Sequence, residues 1–280
     1  MGKASAIEWT DATFNPWWGC TRVSIGPKGA CVNCYADVWA RRLGLNLWDR
    51  GVYRTFGAKH WSEPLAWNKA AAPAGVRKRV FCASMADVFD KDAPAEERQR
   101  LWRLIEATPH LDWLLLTKRV GNVLRMLPPS WQAALPRNVW LGISVVTQEE
   151  VDRDVPKLLE IPATIRFLSC EPLMEPISFR WTAWAKRRPD GVLGHLDGLK
   201  GIDWVIVGGE SGRQARPMVE FWASDIRHQC AEAGVPFFFK QGSQKNWPAF
   251  KDFDSFPAEL RVREWPNGER FSPASDGDGA

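Results

Sequence analysis

The chain has 280 residues, 45% of them hydrophobic, with a net charge of +4 and 17 tryptophans against two tyrosines. That apolar content can fill a core without disulfides, and six cysteines in so long a chain exclude a small cross-linked secreted scaffold. Apolar runs such as Leu114–Leu116 and Phe237–Phe239 are strand-sized, which excludes a membrane-spanning helix, and the mild positive charge permits a nucleic-acid partner without requiring one.

Taken in chain order, Met1-Gly-Lys-Ala-Ser-Ala followed by Glu8-Trp-Thr-Asp11 offers no apolar leader core. This predicts a reducing cytoplasmic setting, where clustered cysteines are metal ligands or catalytic groups. Three cysteines then stand together: Cys20, Cys31 and Cys34, with ten residues in the first gap and two in the second. The longer gap holds Gly26, Pro27 and Gly29. Three thiolates on a flexible loop can surround one metal centre and leave a coordination position open, which is where a metal does chemistry. Zinc completed by histidine is the competing reading, although the nearest, His60, follows Cys34 at more than finger spacing. Cys82, Cys170 and Cys230 read as buried small hydrophobes.

Downstream, short apolar runs alternate with helical patterns. Val80–Ala83, Leu111–Thr117, Val139–Ser144, Ile165–Ser169, Trp204–Val207 and Pro236–Lys240 have the continuous apolar character of buried parallel strands. Pro94–Glu106, a segment opening on the capping pair Thr147 and Glu150, and Glu220–Ala233 before Gly234 have the marks of helices. With a first strand just before Cys20, about seven strand–helix units predict an α/β fold: a partial or full TIM-like (β/α) barrel over residues 1–245. Residues 176–201 break the rhythm as an insertion or mobile loop. Residues 246–280 form a C-terminal extension expected to wrap the barrel, with a disordered tail from Ser272.

The strand ends are polar: Ser84 to Asp87, Thr117 to Arg119, Ser144, Ser169 to Glu171, Gly208 to Gly212, and Lys240 with Gln241. In a (β/α) barrel those ends converge on one mouth, which holds the active site. Gly208-Gly-Glu-Ser-Gly212 could cradle a phosphate through its backbone, or be an ordinary turn. Arg213 and Arg216 beside it would suit a phosphate or carboxylate. Tryptophans next to cations, at Trp102-Arg103 and Trp184 to Arg188, suit base stacking, while core packing is the simpler reading for any one of them.

Phe14-Asn-Pro-Trp-Trp-Gly-Cys20, Cys31-Val-Asn-Cys-Tyr-Ala36, Phe167-Leu-Ser-Cys-Glu-Pro-Leu173, Val205-Ile-Val-Gly-Gly-Glu-Ser-Gly212 and Val235-Pro-Phe-Phe-Phe-Lys-Gln241 together resemble the phage-encoded three-cysteine-motif proteins. That family looks like a divergent branch of the radical S-adenosylmethionine (SAM) enzymes. The resemblance implies a [4Fe–4S] cluster held by Cys20, Cys31 and Cys34, with SAM on the fourth iron and an external electron donor. It implies an isomerase-type rearrangement of a modified pyrimidine in phage DNA; a free nucleotide or peptide substrate, or a zinc-stabilised nucleic-acid-binding module, is the alternative. The common superfamily spacing differs, because Asn33 precedes the third cysteine here and Tyr35 follows it. The glycine-glycine-glutamate run also follows the sixth strand rather than the second. The second strand end offers Ser84 and Asp87 in its place, Asp87 for the SAM ammonium. Lys118 or Arg119 would take the SAM carboxylate, Ser144 the ribose or carboxylate, and Glu171 the ribose or substrate. Glu210, Arg213, Arg216 and Lys240 are candidate substrate contacts, and the basic stretch 181–188 would hold a DNA strand.

Overall fold

Six of the chain's strands are rich in Val, Ile, Leu, Phe and Trp with no polar alternation, as strands covered on both faces must be. The computed structural model describes residues 5, 7–180, 182–187, 193–243, 252–266 and 268. In chain order the strands are β1 (Ala12–Thr13), β2 (Trp17–Trp18), β3 (Arg54–Thr55), β4 (Lys78–Cys82), β5 (Leu111–Thr117), β6 (Val139–Ser144), β7 (Ile165–Cys170), β8 (Thr182–Arg187), β9 (Leu193–Leu196), β10 (Trp204–Gly208) and β11 (Phe237–Gln241). The helices are α1 (Tyr35–Arg42), α2 (Ala58–Ala74), α3 (Ala95–Glu106), α4 (Val123–Met126), α5 (Gln148–Leu159) and α6 (Glu220–Ala233). Seven strands form one parallel sheet in the order β1-β4-β5-β6-β7-β10-β11. Two antiparallel ribbons, β2-β3 and β8-β9, stand outside it. The second ribbon occupies the segment 176–201 that breaks the sequence rhythm.

The sheet is curled into a partial barrel. Trp9, just before β1, has its ring 4.6 Å from Phe81 of β4, 6.5 Å from Phe167 of β7 and 6.2 Å from Trp204 of β10. In a flat sheet β1 and β10 would be five strand spacings, roughly 24 Å, apart. Phe81, Leu114, Trp140, Phe167, Trp204, Ile206 and Phe238 join Trp9 and Trp265 in this inner core. Gly142 of β6 makes room for it: a Cβ there would stand 2.3 Å from the Phe167 ring. Among the described residues β1 and β11 are not paired, so the barrel is open along that seam.

The outer face is covered by helices whose apolar stripes are legible in the sequence. Leu101, Trp102, Leu104 and Ile105 of α3 are buried, as are Val151, Val155 and Leu158 of α5. Thr147 caps α5 by accepting the Glu150 N–H at 3.3 Å, and α6 ends on Gly234 at φ 68°. Helices α1 and α2 are not among the sequence expectations; α2 carries Pro64 and Pro73 inside it, residues that normally mark helix ends. Residues 252–266 return to the sheet and wrap its last strand. Phe239 N–H donates to Val262 O at 2.9 Å, Glu264 N–H to Phe237 O at 3.0 Å, and Trp265 Nε1 to Trp9 O at 3.3 Å. The tail from Ser272 and the 244–251 stretch fall outside the described residues.

Most tryptophans are structural. Twelve are buried among the described residues, Trp102 among them, while the Trp184 side chain lies outside what the structure describes. Replacing Gly142 with valine is expected to destabilise the fold by about 1–3 kcal/mol, because the Phe167 ring is hemmed in by Trp9 and Trp204. Chemical denaturation checks this as a lower midpoint with unchanged slope.

Candidate metal and cofactor site at the barrel mouth

The C-terminal ends of the parallel strands surround a cavity of about 270 Å³. Its lining includes Cys20, Cys31, Cys34, Ser84, Asp87, Lys118, Ser144, Glu171, Glu210 and Lys240, all of them singled out in the sequence. Arg213 is exposed and outside it, and Arg216 stands behind the wall. All six cysteines are free thiols, and Cys82, Cys170 and Cys230 are buried away from this cavity.

Gly19 sets the start of the cysteine loop. Its φ of 121° is open to glycine, and a Cβ would meet Val52 O at 2.5 Å. Gly19 N–H donates to Met85 O at 3.1 Å, tying the loop to the β4 end, and Cys20 N–H to Leu47 O at 3.3 Å, tying it to the stretch after α1. Beyond Cys20 the loop is held by side chains from across the barrel. Thr21 N–H donates to Asp90 at 2.8 Å, Ser24 Oγ to Glu150 at 2.7 Å, and Lys28 pairs with Glu175 at 2.5 Å. Arg216 donates to Pro27 O at 3.0 Å and Gly29 O at 3.1 Å, while Glu210 grips its guanidinium at 2.5 Å. Glu210 also accepts from Asn33 Nδ2 at 2.9 Å, two residues from Cys31 and one from Cys34. Glu210 and Arg216, expected as substrate contacts, are therefore occupied in pinning the loop: both carboxylate oxygens and most of the guanidinium are used. The Gly208–Gly212 turn is likewise packed, with Gly209 N–H on Gln241 O at 2.8 Å and no space for a Cβ against Ser243.

A buried charge cluster lies behind Cys20. Arg119 Nη1 is 2.7 Å from Asp87 and Nη2 3.2 Å from Asp90, and the same two nitrogens donate to Cys20 Sγ at 3.6 and 3.7 Å. Nη2 also donates to Thr21 O. Burial works against the Arg119 charge, but Asp87, Cys20 and Asp90 outweigh it and push its pKa up. Burial pushes the Cys20 thiol up to about 12, with Arg119 acting the other way. Asp87, expected to receive an ammonium, already accepts from Phe89 N–H, Thr117 Oγ1, Lys118 N–H and Arg119, which fills its lone pairs.

The other groups that face the cavity are committed to different degrees. Lys118 lines the cavity without an ion-pair partner among the described residues; burial pushes the Cys34 thiol up, with the Asp37 N–H and the Lys118 charge acting the other way. Ser144 Oγ at the β6 end and Gln241 Oε1 at the β11 end are buried without a hydrogen-bond partner among the described residues. Ser84 Oγ accepts from Asn15 Nδ2 at 3.0 Å, and its carbonyl accepts from Tyr35 Oη at 2.5 Å. Glu171 and Lys240 neutralise each other at 2.8 Å. Among the described residues no three His, Cys, Asp or Glu side chains are gathered tightly enough for one metal ion. Gln241, one of the polar strand ends expected at the mouth, lines it; Asp90, Asn33, Glu150 and Glu175 also shape the site or its loop, and nothing in their local sequence patterns marks them for it, because their partners lie on other elements.

The fold and the cavity define a partial (β/α) barrel with a three-thiol loop closed over its mouth. The chain belongs to the family described as "Protein of unknown function (DUF5131)", whose model matches residues 4–266. No curated protein matches it in sequence. Among solved structures it is similar to spore photoproduct lyase complexed with dinucleoside spore photoproduct, with a TM-score of 0.43 and 13% identity over 73% of this chain and 57% of that one. A doubly substituted spore photoproduct lyase with bound AdoMet and dinucleoside spore photoproduct gives a TM-score of 0.44 and 11% identity over 82% of this chain and 63% of that one. The chain thus spans about three-fifths of the length of these structural neighbours. No helix among the described residues is long and apolar enough to cross a membrane.

Replacing Arg216 with alanine leaves Glu210 buried without its partner and frees the loop carbonyls. Tryptic cleavage after Lys28 is expected to speed up severalfold under native conditions, read by mass spectrometry of the released fragments. An unchanged rate would show that the loop is held without this pair.

Proposed function

We propose that this chain is a radical SAM enzyme whose Cys20, Cys31 and Cys34 hold a [4Fe–4S] cluster at the barrel mouth. The observation that carries the reading is the company these thiols keep. All three line one cavity together with an unpaired lysine and two buried oxygens that lack partners. A buried polar atom without a partner costs on the order of 1–3 kcal/mol, which a bound ligand would recover. A four-iron cluster takes each thiolate on a separate iron, whereas zinc draws its ligands to within about 4 Å of one another. A wider arrangement of thiols around a cavity fits the former. When bound, such a cluster together with SAM supplies a one-electron cleavage that yields a carbon-centred radical for hydrogen abstraction.

The chain's own groups then have definite tasks. Lys118 pairs with the carboxylate of the cosubstrate, and Ser144 and Gln241 hydrogen-bond its polar atoms. Asp87, saturated by its own neighbours, positions Arg119 and the Lys118 backbone instead of meeting the ligand. Trp9, Phe81, Met85 and Leu116 give the cavity apolar walls that exclude water from a reactive intermediate. Glu171 and Lys240, paired at the far rim, are placed to meet the substrate. We assign as substrate a pyrimidine base, in DNA or as a nucleotide, undergoing an isomerase-type rearrangement with electrons from an external donor. A base within duplex DNA would have to leave the stack to enter the cavity. The basic side chains of the 181–188 stretch lie outside the described residues and take no part in this argument.

Anaerobic reconstitution with iron and sulfide tests the reading: about four irons per chain and a visible charge-transfer absorption are expected, both lost in Cys31→Ala. The reduced, loaded protein should release 5′-deoxyadenosine from SAM. Lys118→Ala should weaken SAM binding roughly tenfold, about 1.4 kcal/mol, with iron content unchanged. A colourless protein with one tightly held zinc would overturn the proposal.

A further inference from the structure

The three thiols are not equivalent. Among the described residues Arg119 is the one side chain that donates to any of them, and it donates to Cys20 alone, through Nη1 at 3.6 Å and Nη2 at 3.7 Å. The guanidinium is 8% exposed and is aimed by two carboxylates that are themselves buried, Asp87 at 7% and Asp90 at 1%. Two carboxylates around one guanidinium are more than a loop tether requires, since the Thr21 carbonyl and the Asp90–Thr21 bond already fasten the chain there. What the second carboxylate adds is orientation. With Nη1 held on Asp87 and Nη2 on Asp90, the edge of the fork that carries both nitrogens is directed at sulfur.

We infer that Arg119 is a positioning residue that tunes the electron affinity of the cluster through Cys20, with Asp87 and Asp90 fixing its aim and damping its charge. This rests on the cluster reading above. A thiolate that accepts hydrogen bonds from a cation carries less charge onto its iron. Each added electron is then more easily accommodated in a buried setting where charge is weakly screened. The carboxylates oppose that effect, so removing Arg119 and removing a carboxylate must move the cluster in opposite directions. Cys31 and Cys34 have no such partner; Cys34 is instead influenced by the N–H groups at the start of α1 and, less closely, by Lys118. Among the described residues, side-chain hydrogen bonding to the thiols is therefore confined to one corner of the site.

The test compares wild type, Arg119→Gln, Arg119→Lys and Asp90→Asn after the same anaerobic reconstitution. The midpoint potential is read by electron paramagnetic resonance during a reductive titration, with iron content and thermal midpoint taken on the same samples. Arg119→Gln is expected to make reduction roughly tenfold less favourable, a shift of about 59 mV to lower potential for one electron. Arg119→Lys should recover part of the shift, and Asp90→Asn should shift the midpoint upward. A purely structural role would lower the thermal midpoint and the iron content while leaving the potential of the loaded fraction unchanged, and that result overturns the inference. Should Arg119→Gln fail to load, Asp90→Asn decides by the sign of its shift, and no shift there overturns the inference. Absence of iron–sulfur uptake by wild type overturns the cluster reading and this inference with it, whereas a loaded wild type with invariant potentials among the variants overturns the inference alone.

Discussion

Trp9 reaches rings on β4, β7 and β10, and those contacts require the sheet to bend back on itself instead of extending flat. The bend is filled with large aromatics contributed by almost every strand, so it is fixed by volume as well as by apolar burial. Once the strands curl, their C-terminal ends have no choice but to face a common space. Groups drawn from β4 through β11 then share one cavity, although they are scattered along more than 150 residues of sequence. The inner core thus shapes the site chiefly from beneath it.

Over that mouth lies a segment rich in glycine that makes a turn of its own, with Gly29 N–H on Gly26 O and Cys31 N–H on Ser24 O. The rest of its order is imported: a carboxylate from beyond the β4 end, one from α5, one from beyond β7, and the Glu210–Arg216 pair from beyond β10 each take a different part of it. A loop fastened at several points by buried or half-buried polar contacts presents its thiols in a defined arrangement before any ligand arrives, and less ordering remains to be done on binding. The contrast between groups that are used up and groups that are not gives the cavity its chemical character. Asp87, Glu210 and Arg216 are satisfied within the protein, while Lys118, Ser144 and Gln241 are left facing the opening.

The barrel is legible in the sequence because continuous apolar runs can be buried in few ways, and the polar residues that end them point to a mouth. The cysteines are legible from spacing alone. What cannot be read is partnership. Arg216 meets Gly29 across 187 positions of sequence, and no local pattern distinguishes an arginine that holds a loop from one that awaits a substrate. The same applies to Asp87, whose position at a strand end is as expected while its lone pairs are taken by the next strand. Helix α2 escapes notice because two prolines stand inside it, and β8-β9 because a glycine-rich basic stretch resembles a loop more than a ribbon. Of the tryptophans buried among the described residues, Trp9, Trp140, Trp204 and Trp265 fill the space inside the curled sheet, and the rest pack outside it.

The seam between β1 and β11 carries a consequence of its own. Everywhere else around the barrel neighbouring strands are laced by backbone hydrogen bonds, but here the returning 252–266 segment, itself laced to β11, reaches the β1 side through the Trp265 indole, which donates to Trp9 O. Side-chain contacts of this kind can slide or part by an ångström or two without unpairing a strand, whereas a laced boundary resists any change in circumference. Among the described residues the wall is thus closed by strand pairing around most of its circumference and by a single indole along one line, and that line ends at β11, whose Gln241 lines the cavity.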